Sequence, residues 1–258
     1  MKKIEFDSDK YKRIINKAKK SFIHNKPNVN NRTINMNYDK LKQLEIELQL
    51  GKSKYYEGFD TKKYGYTLQP GSIPADGMYE HWIRTFNPSV VIEVGSFLGY
   101  SAIKMAKEIQ RLNLNSKIIC IDTWLGSPEH YDNSDNRLNY EFGYPTIYYN
   151  FVSNIIHENV QNIIQPLPFP SSVAFKILQK VFSKIQINAD FIFIDGSHEE
   201  DDVYTDIRYY YQLLSNGGEI WGDDWDWQSV SNAVKRFSNE NNKVVNVADN
   251  NIHWFIKK

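Results

Sequence analysis

The sequence predicts an α/β fold: a mostly parallel, doubly wound, seven-stranded sheet with helices on both faces and an antiparallel C-terminal hairpin at its edge. Three observations carry this. From about residue 70, short β-branched apolar runs alternate with segments of helical spacing. The runs are nearly all apolar, as strands buried on both faces read. Asp122, Asp195, Asp223 and Asp224 fall at the ends of three of those runs, where ligands bind on such sheets.

The elements follow in order. Segment 8–37 is basic, with Lys10, Lys12, Arg13, Lys17, Lys19, Lys20, Lys26 and Arg32. It reads as a solvated helix followed by an Asn-rich loop, with contact to an acidic surface as the alternative. Leu41, Leu44, Ile46, Leu48 and Leu50 make 38–50 a short amphipathic helix, set against the main domain or a second subunit. Val90-Val91-Ile92-Glu93-Val94 is the first buried strand, 95–99 a glycine turn, and 100–112 a helix. Residues 117–122 form the second strand and 125–145 a long polar and aromatic loop. Helix 147–158, strand 161–165 and helix 172–184 lead to strand 190–195. Helix 201–214 stops at the turn signal Asn216-Gly217-Gly218. Strand 219–224 and helix 228–238 follow. Segments 243–247 and 252–256, joined by Asp249-Asn250-Asn251, read as a hairpin at the sheet edge.

Composition bounds the function. The chain has 258 residues, 31 Lys plus Arg and 31 Asp plus Glu. That length buries a full core without disulfide or metal staples. No run reaches the roughly 18 apolar residues a membrane span needs, and the charged start is not followed by an apolar signal core. Balanced charge argues against nucleic acid as the main partner. The lone Cys120 excludes an internal disulfide and a zinc cluster, and reads as a small core residue. The expected setting is the cytoplasm, with no membrane or nucleic-acid partner.

The chemistry lies in three motifs. In Glu93-Val94-Gly95-Ser96-Phe97-Leu98-Gly99-Tyr100-Ser101 the glycines let the backbone turn and approach a ligand, and the helix start behind them offers free N–H groups. It is neither a P-loop nor G-x-G-x-x-G; a plain strand–helix turn is the bland reading. Asp122 ends the second strand, where an acid accepts ribose hydroxyls. Glu93 would repel a pyrophosphate but suits a ligand with an ammonium and a sulfonium. Asp195, Asp223 and Asp224 can converge on one divalent cation, with Mg²⁺ favoured over Mn²⁺ or Ca²⁺. His198, three residues past Asp195, is a candidate general base beside a local loop role.

Taken together, Glu93-x-Gly95-x-x-x-Gly99-x-Ser101, Asp122, Asp195-Gly196-Ser197-His198 and Gly217-Gly218 before Gly222-Asp223-Asp224 resemble the class I S-adenosylmethionine-dependent methyltransferases. The closer resemblance is to the metal-dependent O-methyltransferase group of macrocin O-methyltransferase and the cephalosporin-hydroxylase-like proteins. It implies a Rossmann-like methyltransferase domain over 66–258, preceded by an N-terminal helical or irregular extension, 1–65. It implies that Glu93, Gly95, Ser96, Gly99, Ser101, Asp122, Thr123 and Ser172 hold S-adenosyl-L-methionine. It implies that Asp195, Asp223 and Asp224 hold Mg²⁺ or another divalent cation, and that Asp195 and His198 are catalytic. One departure is that no acid follows the third strand, in Gln165-Pro166-Leu167-Pro168-Phe169-Pro170-Ser171-Ser172. Gln165, Ser171 or Ser172 is then expected to meet the adenine.

The loop holding His130, Tyr131, Asp132, Tyr140, Phe142, Tyr144, Tyr148 and Tyr149 is a candidate lid, against a plain surface loop. Segment 66–77 is expected to pass over the cofactor. Trp225 and Trp227 suit a sugar or aromatic hydroxyl, against core packing. The expected activity is methyl transfer to a hydroxyl of a small polyhydroxylated acceptor, a sugar or glycosylated metabolite ahead of a catechol, by a possible homodimer. A nicotinamide-dependent oxidoreductase and a non-catalytic binding module are the alternatives.

Overall fold

The computed structural model describes residues 31–49, 54–68, 77–127, 130, 138–248 and 251–258, with backbone alone for 31–37. The chain divides into two compact units, Met1–Met36 and Asn37–Lys258. Of the first, only the opening turns of one helix are described; the sheet and the site belong to the second. Most of the basic segment 8–37 and of segment 66–77, and the turn residues Asp249 and Asn250, lie outside the described residues.

The helices are α1 (Asn31–Leu48), α2 (Thr61–Tyr64), α3 (Met78–Phe86), α4 (Tyr100–Arg111), α5 (Ile147–His157), α6 (Ser171–Ile185), α7 (Glu200–Leu213) and α8 (Gln228–Asn241). The strands are β1 (Val90–Val94), β2 (Lys117–Ile121), β3 (Tyr140–Glu141), β4 (Tyr144–Pro145), β5 (Ile164–Leu167), β6 (Ala189–Ile194), β7 (Leu214–Gly222), β8 (Val245–Val247) and β9 (Trp254–Lys257). Seven of them form one sheet, in the order β5-β2-β1-β6-β7-β9-β8. β1 pairs in parallel with β2 and β6, β2 with β5, and β6 with β7. β9 runs antiparallel to β7 and β8, so the expected edge hairpin is present.

β1 is buried at all five positions because it lies mid-sheet between two helical layers. Its side chains alternate between two cores. Val90, Ile92 and Val94 join Ile119, Ile121, Ile192 and Ile194 on one face. Val91 joins Ile118, Cys120, Phe191 and Phe193 on the other. Helix α1 docks on the first core through Leu41, Leu44 and Leu48, each 1% exposed. Burial of this kind is worth roughly 1.5–3 kcal/mol per leucine. The chain leaves β1 toward β2 on one side and later returns to β6 on the other. That reversal opens a crevice at the carboxyl ends of β1 and β6.

Three boundaries depart from the sequence reading. The strand expected at 161–165 is Ile164–Leu167 and includes Pro166. β5 is an edge strand, and there a proline costs no ladder bond on its free side. The strand expected at 219–224 starts at Leu214 and stops at Gly222, leaving Asp223 and Asp224 just past its end. Its register jumps from Ala189↔Leu214 to Phe191↔Glu219, and Gly217, at φ 81°, turns inside that bulge. The long loop contains the β3–β4 hairpin, turned by Phe142 and Gly143 at φ 51° and 79°.

Candidate functional site

The glycine loop is braced from below. Glu93 is fully buried and points into the layer shared with Cys120 and Phe193, its sheet neighbours. The Ser96 hydroxyl donates to one of its oxygens at 2.6 Å and the Ser101 hydroxyl to the other at 2.5 Å. Burial raises its carboxyl above the usual range, and these two hydroxyls and the Cys120 thiol oppose the rise. Glu93 thus ties the loop to the first turn of α4 rather than lining the cleft. Gly95 has φ 88°, and a Cβ there would stand 1.8 Å from the Asp195 carbonyl oxygen. Only glycine lets the end of β1 lie this close to the end of β6. Gly99, at φ 87°, opens α4.

Asp122, past the end of β2, accepts the Phe97 N–H at 2.8 Å and the Trp124 N–H at 2.7 Å, one on each oxygen. Burial raises its carboxyl, and these backbone donors oppose the rise. The Trp124 indole donates to the Phe97 carbonyl at 2.7 Å. The acid and the glycine loop are therefore one interlocked unit. Phe97, held at φ 42°, stacks on His130 at 4.8 Å.

Asp195, Asp223 and Asp224 come together as expected: one carboxylate oxygen from each lies within 4.8 Å of the others. Burial, then the charges of Asp223 and Asp224, pushes Asp195 well above the carboxylate range. Burial, then Asp224, lifts Asp223 to about 6. Three like charges so placed favour protons or a cation. His198 Nε2 lies 2.9 Å from Asp224 Oδ2, and its ring stacks on Trp227 at 4.3 Å. Trp227 is 45% exposed and covers the His198 ring beside the acids, whereas Trp225 packs against the core.

Sequence reasoning missed His253. It enters from β9's approach, is nearly buried, and places Nε2 3.1 Å from Asp223 Oδ1. Burial lowers its pKa to about 4, so it faces Asp223 as a neutral ring. No local signal marks it, because the contact exists only through antiparallel pairing of β9 with β7.

A cleft of about 530 Å³ opens at these strand ends. Gly95, Asp122, Thr123, Ser172, Asp195 and His198 line it among others. Gln165 does not, being buried within β5; Ser171 and Ser172 do. From the aromatic loop, Ser127 and His130 reach the cleft. Tyr148 packs edge-on against Trp124 at 5.1 Å, while Phe142 at the hairpin tip is fully exposed. Tyr131 and Asp132 lie outside the described residues. Among those residues, no helix is long and apolar enough to cross a membrane.

Comparison with known proteins agrees with this architecture. No curated protein matches the sequence. The SAH-bound methyltransferase PaMTH1 of Podospora anserina superposes with a TM-score of 0.51 at 12% identity, covering 100% of this chain and 98% of that one. An O-methyltransferase of Bacillus cereus, in complex with SAH, gives 0.49 at 13%, covering 95% and 97%. At such identity, the PaMTH1 superposition speaks for the fold alone. The family model described as a methyltransferase domain matches residues 92–225, from inside β1 to just past Asp224. That span is more than half of the chain and contains the braced glycine loop, Asp122 and all three clustered acids: the protein belongs to the methyltransferase-domain family.

Proposed function

We propose that the protein transfers a methyl group from S-adenosyl-L-methionine to a hydroxyl of a small polyhydroxylated acceptor, assisted by a divalent cation. One observation carries the reading most: Asp195 belongs both to the cleft wall and to the acid trio. A methyl donor in the cleft would lie beside whatever the acids hold. In this reading Asp122 accepts the ribose hydroxyls with the lone pairs its backbone donors leave free. Gly95 and the loop behind it receive the methionine part, and Thr123 and Ser172 line the donor's path.

The donor set fits a hard cation: three carboxylates, no thiol, and mutual repulsion that a positive ion relieves. Asp195, Asp223 and Asp224 would hold Mg²⁺ or a similar ion. Such an ion supplies Lewis acidity that lowers the pKa of an acceptor hydroxyl. His198, beside Asp224, would take the hydroxyl proton. The protein's main contribution is to place oxygen and methyl in line. The exposed part of the Trp227 ring suits the C–H face of a sugar, in keeping with the macrocin and cephalosporin-hydroxylase-like group. We place the activity in the cytoplasm.

Calorimetric titration tests the donor assignment, with S-adenosylmethionine, with and without Mg²⁺, and with NADH as control. Saturable binding of the first, lost in Asp122→Ala, is the expected result. Binding of NADH alone would replace the transferase reading with the oxidoreductase one.

A further inference from the structure

Asp206 is a buried carboxyl that the reaction outlined above leaves without a task. It projects from α7, is 5% exposed, and lines the cleft beside Ser171, Ser172 and Thr205. Tyr210, one turn on, donates to the Ser171 carbonyl at 2.8 Å, which pins α7 to the start of α6 and fixes where Asp206 sits. Phe169 and Pro170 add apolar wall on the same side. Burial is the main reason its carboxyl rises to about 7; the Ser171 side chain opposes the rise and the Asp202 charge adds to it.

The other acids of the cleft are committed or exposed. Asp122 takes a backbone N–H on each oxygen. Asp195 belongs to the acid trio. Glu199 and Asp202 are exposed to solvent. The stretch after β5, Pro168-Phe169-Pro170-Ser171-Ser172, supplies no carboxylate. The buried acceptor on this wall therefore comes from α7. A slot with apolar sides and one acceptor at its edge suits a flat heterocycle that carries an amine.

We infer that Asp206 is the acceptor for the 6-amino group of the donor's adenine ring, and so sets which purine the cleft takes. This rests on the S-adenosylmethionine reading above. An exocyclic amine offers only N–H groups to a carboxyl oxygen. A 6-oxo purine puts lone pairs there instead, leaving the buried carboxyl facing an acceptor.

The test compares S-adenosylhomocysteine with its 6-oxo analogue, S-inosylhomocysteine, by calorimetry on the full chain at pH 8.5, where the Asp206 carboxyl is ionised and can only accept. Wild type should prefer the amino form by roughly 10- to 100-fold, the value of one hydrogen bond to a charged group. Asp206→Leu should bring the two ligands to within about threefold of each other. Asp206→Asn, whose amide can turn its NH2 toward a 6-oxo group, should lose most of the preference while still binding both ligands. A merely structural role for Asp206 would weaken both ligands alike and leave their ratio unmoved. Equal binding of both ligands by wild type would overturn the inference whatever the variants do, as would a full preference kept by Asp206→Leu. No saturable binding of either ligand would sink the donor reading, and the inference with it. Tight but indiscriminate binding would sink the inference alone.

Discussion

Among the described glycines, Gly95 is the least open to change. Alanine there meets a left-handed φ of 88° and a carbonyl 1.8 Å away, and backbone cannot yield as a side chain can. Gly95→Ala should cost on the order of 3 kcal/mol or more. That lowers the melting midpoint by roughly 6–12 °C in a chain of this size. Gly99→Ala, whose Cβ would meet the Phe151 ring at 3.0 Å, should cost less; equal midpoints would contradict the close approach. Asp206 gives a pH signature. Its folded carboxyl titrates at about 7, against an ordinary value of 3.8. The folded state therefore holds a proton that the unfolded chain releases. Stability is lost as pH rises from near 4 to about 7, by up to a few kcal/mol. Asp206→Asn removes that dependence, so its midpoint should fall less than wild type's between pH 5 and 8. Parallel profiles would mean that the carboxyl is not held protonated. The acids at strand ends were legible in the sequence because each closes an apolar run. His253 was not, since its partner Asp223 lies across the sheet.

At the scale of elements, periodicity located the strands of the main sheet and the helices from α4 onward but not α2, α3 or the β3–β4 hairpin, and local rules set where the reading slipped. Pro166 reads as a breaker, yet β5 has a free side and accommodates it. The glycines at 217 and 218 read as a terminus, yet they form a bulge within a longer strand. Gly218 lies where a Cβ would stand 2.8 Å from the Asp190 carbonyl, so it serves close packing. Helix α1 reads as amphipathic without specifying its partner. The structure docks it on the first core, and ion pairs Lys117–Glu45 at 2.9 Å and Lys184–Glu47 at 2.8 Å flank it. Such exposed pairs contribute little beside the leucines. Leu44→Ala should cost about 2–5 kcal/mol. Ile46→Ala, on a residue 55% exposed, should change stability by under about 0.5 kcal/mol. Denaturant titration of both variants checks this, and equal effects would mean that α1 is not held through its leucine face.

At the scale of the whole molecule, the sheet gathers residues more than a hundred positions apart into one crevice. Its acid trio predicts a response to cations. Burial and mutual repulsion raise the carboxyls of Asp195 and Asp223, and Mg²⁺ or Mn²⁺ would relieve that repulsion. At a hundredfold excess over its dissociation constant, an ion stabilises by about 2.7 kcal/mol. The midpoint should rise by roughly 5–10 °C at pH 7.5, and less at pH 5.5, where protons compete. Asp195→Asn with Asp223→Asn should abolish the rise; an unchanged midpoint in wild type would remove the cation from the proposed reaction. The sequence by itself determined the layered α/β plan, the glycine loop and the acids, because each is written in neighbouring residues as a period, a turn or a strand end. Only the tertiary structure decided that Glu93 braces the loop, that His253 meets Asp223 and that Asp206 enters the cleft. Those contacts depend on strand order and helix packing, which bring together side chains with no shared local pattern.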